Sequence, residues 1–381
     1  MTIFIETLWP FIQVLFGLGV VILGTYILVE AGLWLIKVSG APDLFVGSTF
    51  LSLITISLEC FMGWAAITHG RGEMIPTMIM GIVLMSLGVV LALNLMVSPR
   101  LISKRKFLWQ SALLLFSLIV FWFLGRDGKL TRSDSYWLLV LATGIIVFNW
   151  WGILWGIWVQ VLSKAKSKLT RQELAFNKKN AAQLKTWGQA QFKQMGVRNL
   201  ALNLARLIIG TGLVFLAVGY FWRNWQGVAG ILNWNDQLVA LVVLAVAAVL
   251  PILVTTIAVI RHKKTTDLSV GSLLGVGTLS LSLVIGLFSW LGTSDWAREW
   301  QAVVRSELAS GWRIVGPTLL SETQSFLVTN EVINFDIPLA LLMMMVIIIP
   351  SLWKGKLYRA QGAALFLMYL SYIVFWIFAK R

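Results

Sequence analysis

Ten runs of mostly apolar residues dominate the sequence, and each is near the length of about 20 residues that a helix needs to cross a bilayer. The runs lie near residues 8–35, 44–67, 77–97, 107–124, 136–162, 203–222, 237–260, 269–291, 336–353 and 362–379. Only 12% of the residues are charged, whereas soluble domains carry about 25%. The sequence therefore predicts an all-α polytopic membrane protein with ten transmembrane helices.

The distribution of positive charge predicts the orientation of these helices. If both termini are outside, 21 of the 31 Lys and Arg residues lie in inner segments. Cytoplasmic segments are commonly rich in Lys and Arg, so we predict outer termini, a cytoplasmic basic loop between runs five and six, and an inner or plasma membrane location. The same charge suits anionic lipid headgroups, so we expect the lipid bilayer as a partner and no nucleic acid.

Short motifs of the first half recur in the second half. The pairs are Gly17-Leu-Gly19 with Gly210-Thr-Gly212, Asp43 with Asp236, and Gly128-Lys-Leu-Thr-Arg132 with Gly355-Lys-Leu-Tyr-Arg359. Five runs separate the copies, and because five is odd the second half would enter the membrane upside down. Inverted repeats of this kind are typical of secondary transporters.

The repeat predicts a domain organisation. Residues 1–162 form the first five-helix repeat, 163–202 a basic cytoplasmic loop, and 203–381 the second five-helix repeat. The third motif pair has a longer offset than the other two, which indicates an insertion at 292–333. Its sequence favours an amphipathic helix on the outer membrane surface.

Glu59 is the most informative polar residue of the apolar runs. It lies in the second run, with no Lys or Arg within ten positions, and a charge at the bilayer centre costs at least about 2.5 kcal/mol. Ser48, Ser52, Thr55 and Glu59 are spaced four, three and four, so they share one helical face. Their oxygens could bind a hard cation. Alternatively, the hydroxyls bond back to their own helix and a protonated Glu59 bonds a neighbouring helix.

The segment around Glu59 resembles a signature of the calcium/cation antiporter superfamily, the sodium/calcium exchanger-like membrane proteins. That signature, Ala-x-Gly-Thr-Ser-Leu-Pro-Glu, is matched in part by Ser52-Leu-Ile-Thr-Ile-Ser-Leu-Glu59 and by Ala245-Val-Ala-Ala-Val-Leu-Pro-Ile252. The first copy keeps the glutamate, and the second has Ile252 there. In the third helix of each half, Ser86 and Ser280 stand where the family places an Asn or Asp ligand.

This resemblance implies two inverted halves around a central cation site, with alternating access by sliding of helices one and six. Gly17, Gly19, Gly210 and Gly212 would let those two helices pack closely. The implied ion-binding residues are Glu59, which is also the implied metal ligand, Thr55, Ser52, Ser86 and Ser280. We expect a small inorganic cation as the transported partner and no separate cofactor.

Family exchangers use a carboxylate from each half, and one carboxylate suits a monovalent cation or a proton better than calcium.

Two functions other than a cation antiporter are considered, a scaffold and an enzyme. Loss of the second glutamate favours a non-transporting scaffold or partner subunit, which would dock a protein through the 163–199 loop or the 292–333 insertion. An enzyme is disfavoured, because no HExxH, GxSxG or P-loop motif occurs.

Overall fold

The computed structural model describes residues 2–39, 52–68, 71–97, 104–166, 197–232, 234–261, 266–294, 326–354 and 357–379. Ser48, most of the predicted central loop and most of the predicted 292–333 insertion lie outside these residues. Ten helices follow one another within the described ranges: α1 Thr2–Ser39, α2 Ser52–Thr68, α3 Met74–Val97, α4 Lys104–Gly125, α5 Arg132–Lys166, α6 Val197–Leu232, α7 236–261, α8 266–292, α9 332–354 and α10 Arg359–Ala379.

Length and composition qualify seven of these helices as membrane spans: α1, α3, α4, α6, α8, α9 and α10. Apolar helical stretches of α2 and α7 are shorter, at Thr55–Ile67 and Asp236–Leu250. The prediction of an all-α polytopic membrane protein is confirmed. The count of ten transmembrane helices and the division into two inverted repeats stay predictions.

α3 and α8 form the centre of the helix bundle. Within their apolar spans, 83% and 89% of the residues are buried, whereas the corresponding fractions for α1 and α6 are 33% and 28%. α3 and α8 are thus enclosed by protein, whereas most residues in the apolar spans of α1 and α6 are not buried. A polar site along α3 and α8 is shielded by the surrounding helices.

Four of the helices contain a π-helical segment. These segments are Ser86–Leu91 in α3, Val239–Leu244 in α7, Ser280–Val284 in α8 and Val332–Asp336 in α9. π-Helical turns are rare and are frequent at functional sites. The two in α3 and α8 begin at Ser86 and Ser280, the serines that the sequence comparison of the halves treats as equivalent.

α1 packs along α6, but not through all the glycines predicted for that contact. A Cβ on Gly210 would lie 2.9 Å from the Gly24 carbonyl oxygen, whereas a Cβ on Gly19 or Gly212 would meet nothing within 4 Å. A Cβ on Gly17 would lie at an ordinary contact distance of 3.4 Å from the Phe221 Cβ. The prediction was wrong for Gly19 and Gly212 because the close approaches of α1 and α6 lie at other positions. These are Gly24 with Gly210, and Pro10 with Gly227, where a Cβ on the glycine would lie 3.0 Å from the proline ring.

Contacts at one end of the bundle join segments that are distant in sequence. Lys129–Leu130 (β1) pairs antiparallel with Phe326–Leu327 (β2). The Arg71 guanidinium donates to the Asp236 carboxylate at 2.5 Å and lies 5.0 Å from the centre of the Trp225 ring. The predicted orientation places all of these segments on the outer side, so this end is called the outer end below.

Gly81 provides a test of the packing between α3 and α7. A Cβ at this position would lie 2.6 Å from the Leu241 carbonyl oxygen, and the backbone must move to accept it. We expect Gly81→Ala to cost about 1–3 kcal/mol, visible as a fall of several degrees in the thermal unfolding midpoint of the purified protein. Gly212→Ala, where the new methyl meets nothing within 4 Å, is the matched control and should not lower the midpoint.

Candidate functional site

The Glu59 carboxyl group is enclosed by protein. Glu59 is 0% exposed, and neither of its oxygens has a hydrogen-bond partner within the described part of the chain. Transfer of an isolated carboxylate out of water is very costly unless it is protonated, paired or bound to a cation. The position therefore requires a proton or a cation whenever the site is closed to water.

Ser280, on α8, is a polar neighbour of the Glu59 carboxyl. Its hydroxyl donates to the Val276 carbonyl oxygen at 2.7 Å. A hydroxyl has one proton to donate and two acceptor lone pairs, so Ser280 keeps lone pairs for a cation but has no proton left for Glu59. The arrangement is that of a site in which both groups offer oxygen atoms.

Ser52 lies on α2 about two helical turns from Glu59, on the side away from the outer end, and it connects α2 to α8. Its hydroxyl donates to the Ser272 carbonyl oxygen at 3.1 Å, and Ser52 is fully buried. Ser52 and Glu59 on α2 thus face Ser272 and Ser280 on α8 in the same order, so the two helices run parallel. α2 and α8 belong to different halves, and parallel packing is what the predicted orientations of the two runs require.

The remaining predicted site residues, Thr55 and Ser86, are also buried. Thr55 lies between Ser52 and Glu59 on α2 and is 5% exposed, and Ser86 on α3 is 2% exposed. The Ser86 hydroxyl has no hydrogen-bond partner in the described residues. The structure thus brings Glu59, Ser280 and Ser52 to the α2–α8 contact, and places Ser86 at the start of the π turn in the central helix α3.

The buried hydroxyls of α2 and α8 differ in what they bond. Thr278, Ser280 and Ser282 each donate to the carbonyl four residues earlier on α8, at 2.7, 2.7 and 2.8 Å. Ser52 instead donates across to another helix. The carboxyl group of Glu59 accepts no hydrogen bond from a neighbouring helix in the described residues. The Ser280 hydroxyl beside it gives its proton to Val276, so a bond between Glu59 and Ser280 requires a protonated Glu59.

Sequence reasoning did not assign Ser272. Its carbonyl accepts the Ser52 hydrogen bond, and its own buried hydroxyl has no partner in the described residues. The signal was present, because Ser272 directly follows Gly271 in the glycine-rich stretch of α8. The side-chain and carbonyl oxygens of Ser272 extend the row of oxygens at the α2–α8 contact toward the inner end.

The site carries a single charge. Among the described residues, no group of three or more His, Cys, Asp or Glu side chains could hold a metal ion. Ile252, which stands where the second half would have a glutamate, is 1% exposed and apolar. The two described ion pairs, Arg71 with Asp236 and Arg206 with Glu30, do not involve Glu59.

Comparisons with known proteins agree with this architecture. The family model described as sodium/calcium exchanger protein matches residues 9–151 and 202–378. The chain is 25% identical over 276 residues to the inner membrane protein YrbG of Escherichia coli strain K12, covering 71% of this chain and 76% of that protein.

Two solved structures are similar in fold. One is the sodium-calcium exchanger NCX_Mj soaked with Na⁺ and Sr²⁺, with a TM-score of 0.60, 14% identity, and coverage of 97% of this chain and 99% of that one. The other is the H⁺/Ca²⁺ exchanger CAX, with a TM-score of 0.58, 16% identity, and coverage of 97% and 86%. Both match nearly the whole chain, which supports one architecture across it.

Ser52 and Ser86 are expected to differ in their contribution to stability. Ser52→Ala removes the hydrogen bond to Ser272 and should cost about 1 kcal/mol, or about 2 °C in the unfolding midpoint. Ser86→Ala removes a hydroxyl that has no partner in the described residues and should leave the midpoint unchanged. Thermal unfolding of the two purified variants, in the same detergent without added cations, makes the comparison. A larger loss for Ser86→Ala would contradict the hydrogen-bond assignment.

Proposed function

The chain belongs to the sodium/calcium exchanger protein family, and from this membership we propose that it is a secondary active cation exchanger with a central site at Glu59. In this proposal Glu59 is the charged ligand or proton carrier. Ser52, Thr55, Ser86 and Ser280 supply neutral oxygens. A small cation is the transported substrate, and the protein needs no separate cofactor.

The observation that carries the proposal is the enclosed Glu59 carboxyl without a partner. Burying an unpaired carboxylate weakens the fold, and a purely structural role would be served better by a neutral side chain. A bound cation or proton removes this penalty and can be exchanged for another. The Ser280 side chain beside the carboxyl supports a cation, because hard cations prefer oxygen ligands.

The number of carboxylates favours a monovalent ion at this site. One carboxylate neutralises half of the charge of a divalent ion, and the uncompensated half is expensive at low dielectric. The similar proteins NCX_Mj and CAX are described as sodium-calcium and H⁺/Ca²⁺ exchangers. We propose that sodium or a proton is the ion at Glu59 here. Calcium transport would require a further negative group in the site.

α1 and α6 are proposed as the moving part. Only 33% and 28% of the residues in their apolar spans are buried, and the Gly24–Gly210 contact holds them together, so they can slide over the bundle as one body. Sliding would expose the α2–α8 contact to each side of the membrane in turn. The equivalent π turns that begin at Ser86 and Ser280 support the proposed division into two inverted halves at 1–162 and 203–381.

A non-transporting relative is the second candidate function. Ile252 favours this candidate, because an exchanger that binds its ion with two carboxylates would bind that ion more weakly with isoleucine in place of the second glutamate. The scaffold would still belong to the membrane and could dock a protein through the 163–199 loop or the 292–333 insertion. The retained, enclosed Glu59 disfavours it, since a scaffold gains nothing from a carboxyl in that position.

Glu59→Gln tests the exchanger directly. We expect the purified wild-type protein in lipid vesicles to take up ²²Na⁺ or ⁴⁵Ca²⁺ under an imposed sodium or proton gradient. Glu59→Gln should lower that uptake at least about tenfold, because loss of one partner of a buried charge pair costs about 3–5 kcal/mol. The variant should keep its fold, since Gln has the shape of Glu.

Glu30→Gln is the matched control. Glu30 lies 3.7 Å from Arg206 and its side chain is 40% exposed, so the exposed pair contributes little to stability. We expect uptake by this variant to equal that of the wild type. If the wild type moves no cation under any gradient, the scaffold replaces the exchanger. If Glu59→Gln transports normally, the ion is bound elsewhere.

A further inference from the structure

A small polar pocket lies near the outer end of the bundle, away from Glu59. It is bordered by α3, α7, α9, α10 and the segment before α9. Its polar lining consists of Thr77, Gln237, Thr329, Glu331, Asp336 and Trp376. None of these residues has a role in the proposed exchange site.

The pocket is separate from the central site. Thr77 precedes Ser86 by nine positions on α3, which is about 13 Å along a helix. Between them, Gly81 packs directly against α7, where its missing Cβ would lie 2.6 Å from the Leu241 carbonyl oxygen. The backbone contact leaves no room for an ion to pass along this face of α3.

The polar groups of the pocket are those that bind a hard cation. Glu331 and Asp336 contribute two carboxylates, Gln237 an amide oxygen, and the two threonines hydroxyl oxygens. Asp336 is 1% exposed and accepts a hydrogen bond from the Tyr372 hydroxyl. Tyr372 therefore holds one oxygen of the Asp336 carboxylate in place while the carboxylate borders the pocket.

Thr77 is the observation that points to a ligand. It is 5% exposed and lines the pocket, and its hydroxyl has no hydrogen-bond partner in the described residues. The Thr329 hydroxyl also lines the pocket, and it too is buried and has no hydrogen-bond partner in the described residues. Leaving a buried hydroxyl unsatisfied costs about 1–3 kcal/mol. The Thr77 and Thr329 hydroxyls line one small pocket together with two carboxylates, and a bound cation would be a common partner for these groups.

We propose that this outer pocket binds one divalent cation, with calcium as the fitting ion. Two carboxylates balance the two charges of calcium, and calcium accepts carboxylate, amide, hydroxyl and water oxygens in flexible geometry. The site differs in charge from the central one, where Glu59 stands alone. It does not depend on the proposed exchange function, because none of its ligands belongs to the α2–α8 contact.

The test removes the central site first and then the pocket. Equilibrium dialysis of ⁴⁵Ca²⁺ against full-length, detergent-purified Glu59→Gln protein should show one saturable site. Adding Thr77→Val, which keeps the side-chain shape but removes the hydroxyl, should weaken calcium binding about tenfold, the equivalent of about 1.4 kcal/mol. Glu331→Gln, added to Glu59→Gln instead, should weaken it at least as much.

Thr25→Val in the same background is the matched control. Thr25 is also a buried threonine whose hydroxyl has no partner in the described residues, but it lies on α1 outside the pocket. We expect it to leave calcium binding unchanged. The proposal is overturned if Glu59→Gln protein binds no calcium up to about 10 mM, beyond the range of weak natural calcium sites. It is also overturned if Thr77→Val and Glu331→Gln both bind as tightly as Thr25→Val.

The two proposals fail in different ways. Calcium binding by Glu59→Gln protein addresses only the outer pocket, whereas gradient-driven uptake addresses only the central site. If uptake survives Glu59→Gln but calcium binding falls with Thr77→Val, the exchange site was misplaced and the outer pocket stands. If uptake is lost with Glu59→Gln but no pocket variant changes calcium binding, the exchanger stands and the outer pocket does not.

Discussion

A bilayer offers no water to polar groups, so every oxygen and nitrogen inside the span must find a partner within the protein. The chain meets this constraint by forming helices, and on α8 by bonding Thr278, Ser280 and Ser282 back to their own backbone. Glu59 does not meet it. Several buried hydroxyls also lack a partner in the described residues, but an unpaired carboxylate is far more costly to bury than a hydroxyl, so the enclosed Glu59 carboxyl marks the place where something other than protein must bind. The proposed function rests on that contrast.

The same constraint explains why α3 and α8 lie at the centre. They carry several buried serines and two of the four described π turns, so lipid contact would leave hydroxyls and irregular backbone in hydrocarbon. The other helices shield them with apolar faces, and α1 and α6 pack against each other where Gly24 and Gly210 allow the backbones to meet. Because apolar helix faces surround α3 and α8, these polar helices are kept out of lipid and the site between them is kept dry. At the low dielectric of a dry site, one charge interacts strongly with its neighbours.

The sequence predicts the apolar runs and the face shared by Ser52, Thr55 and Glu59 from local pattern, and the family signature points to Ser86 and Ser280. It does not predict the π turns that begin at those two serines. Of the four glycines predicted at the contact of α1 with α6, Gly19 and Gly212 were wrong because the points of close approach depend on how two whole helices pack. The outer pocket could not be predicted at all. It joins Thr77, Gln237 and Asp336, which are far apart in sequence, and no local spacing shows that Tyr372 bonds Asp336.

The two proposed sites share α3, since Thr77 lies at the outer pocket and Ser86 at the start of the central π turn. Between them the backbone of α3 is in contact with α7 at Gly81 and Leu241, and packed interiors do not deform continuously. An ion that draws Thr77 and Gln237 together would tighten this contact and hold α3 against α7. The outer pocket would then favour one arrangement of the central helices without contributing a ligand to the exchanged ion. Coupling of this kind needs only that the pocket bind its ion more tightly in one arrangement than in the other.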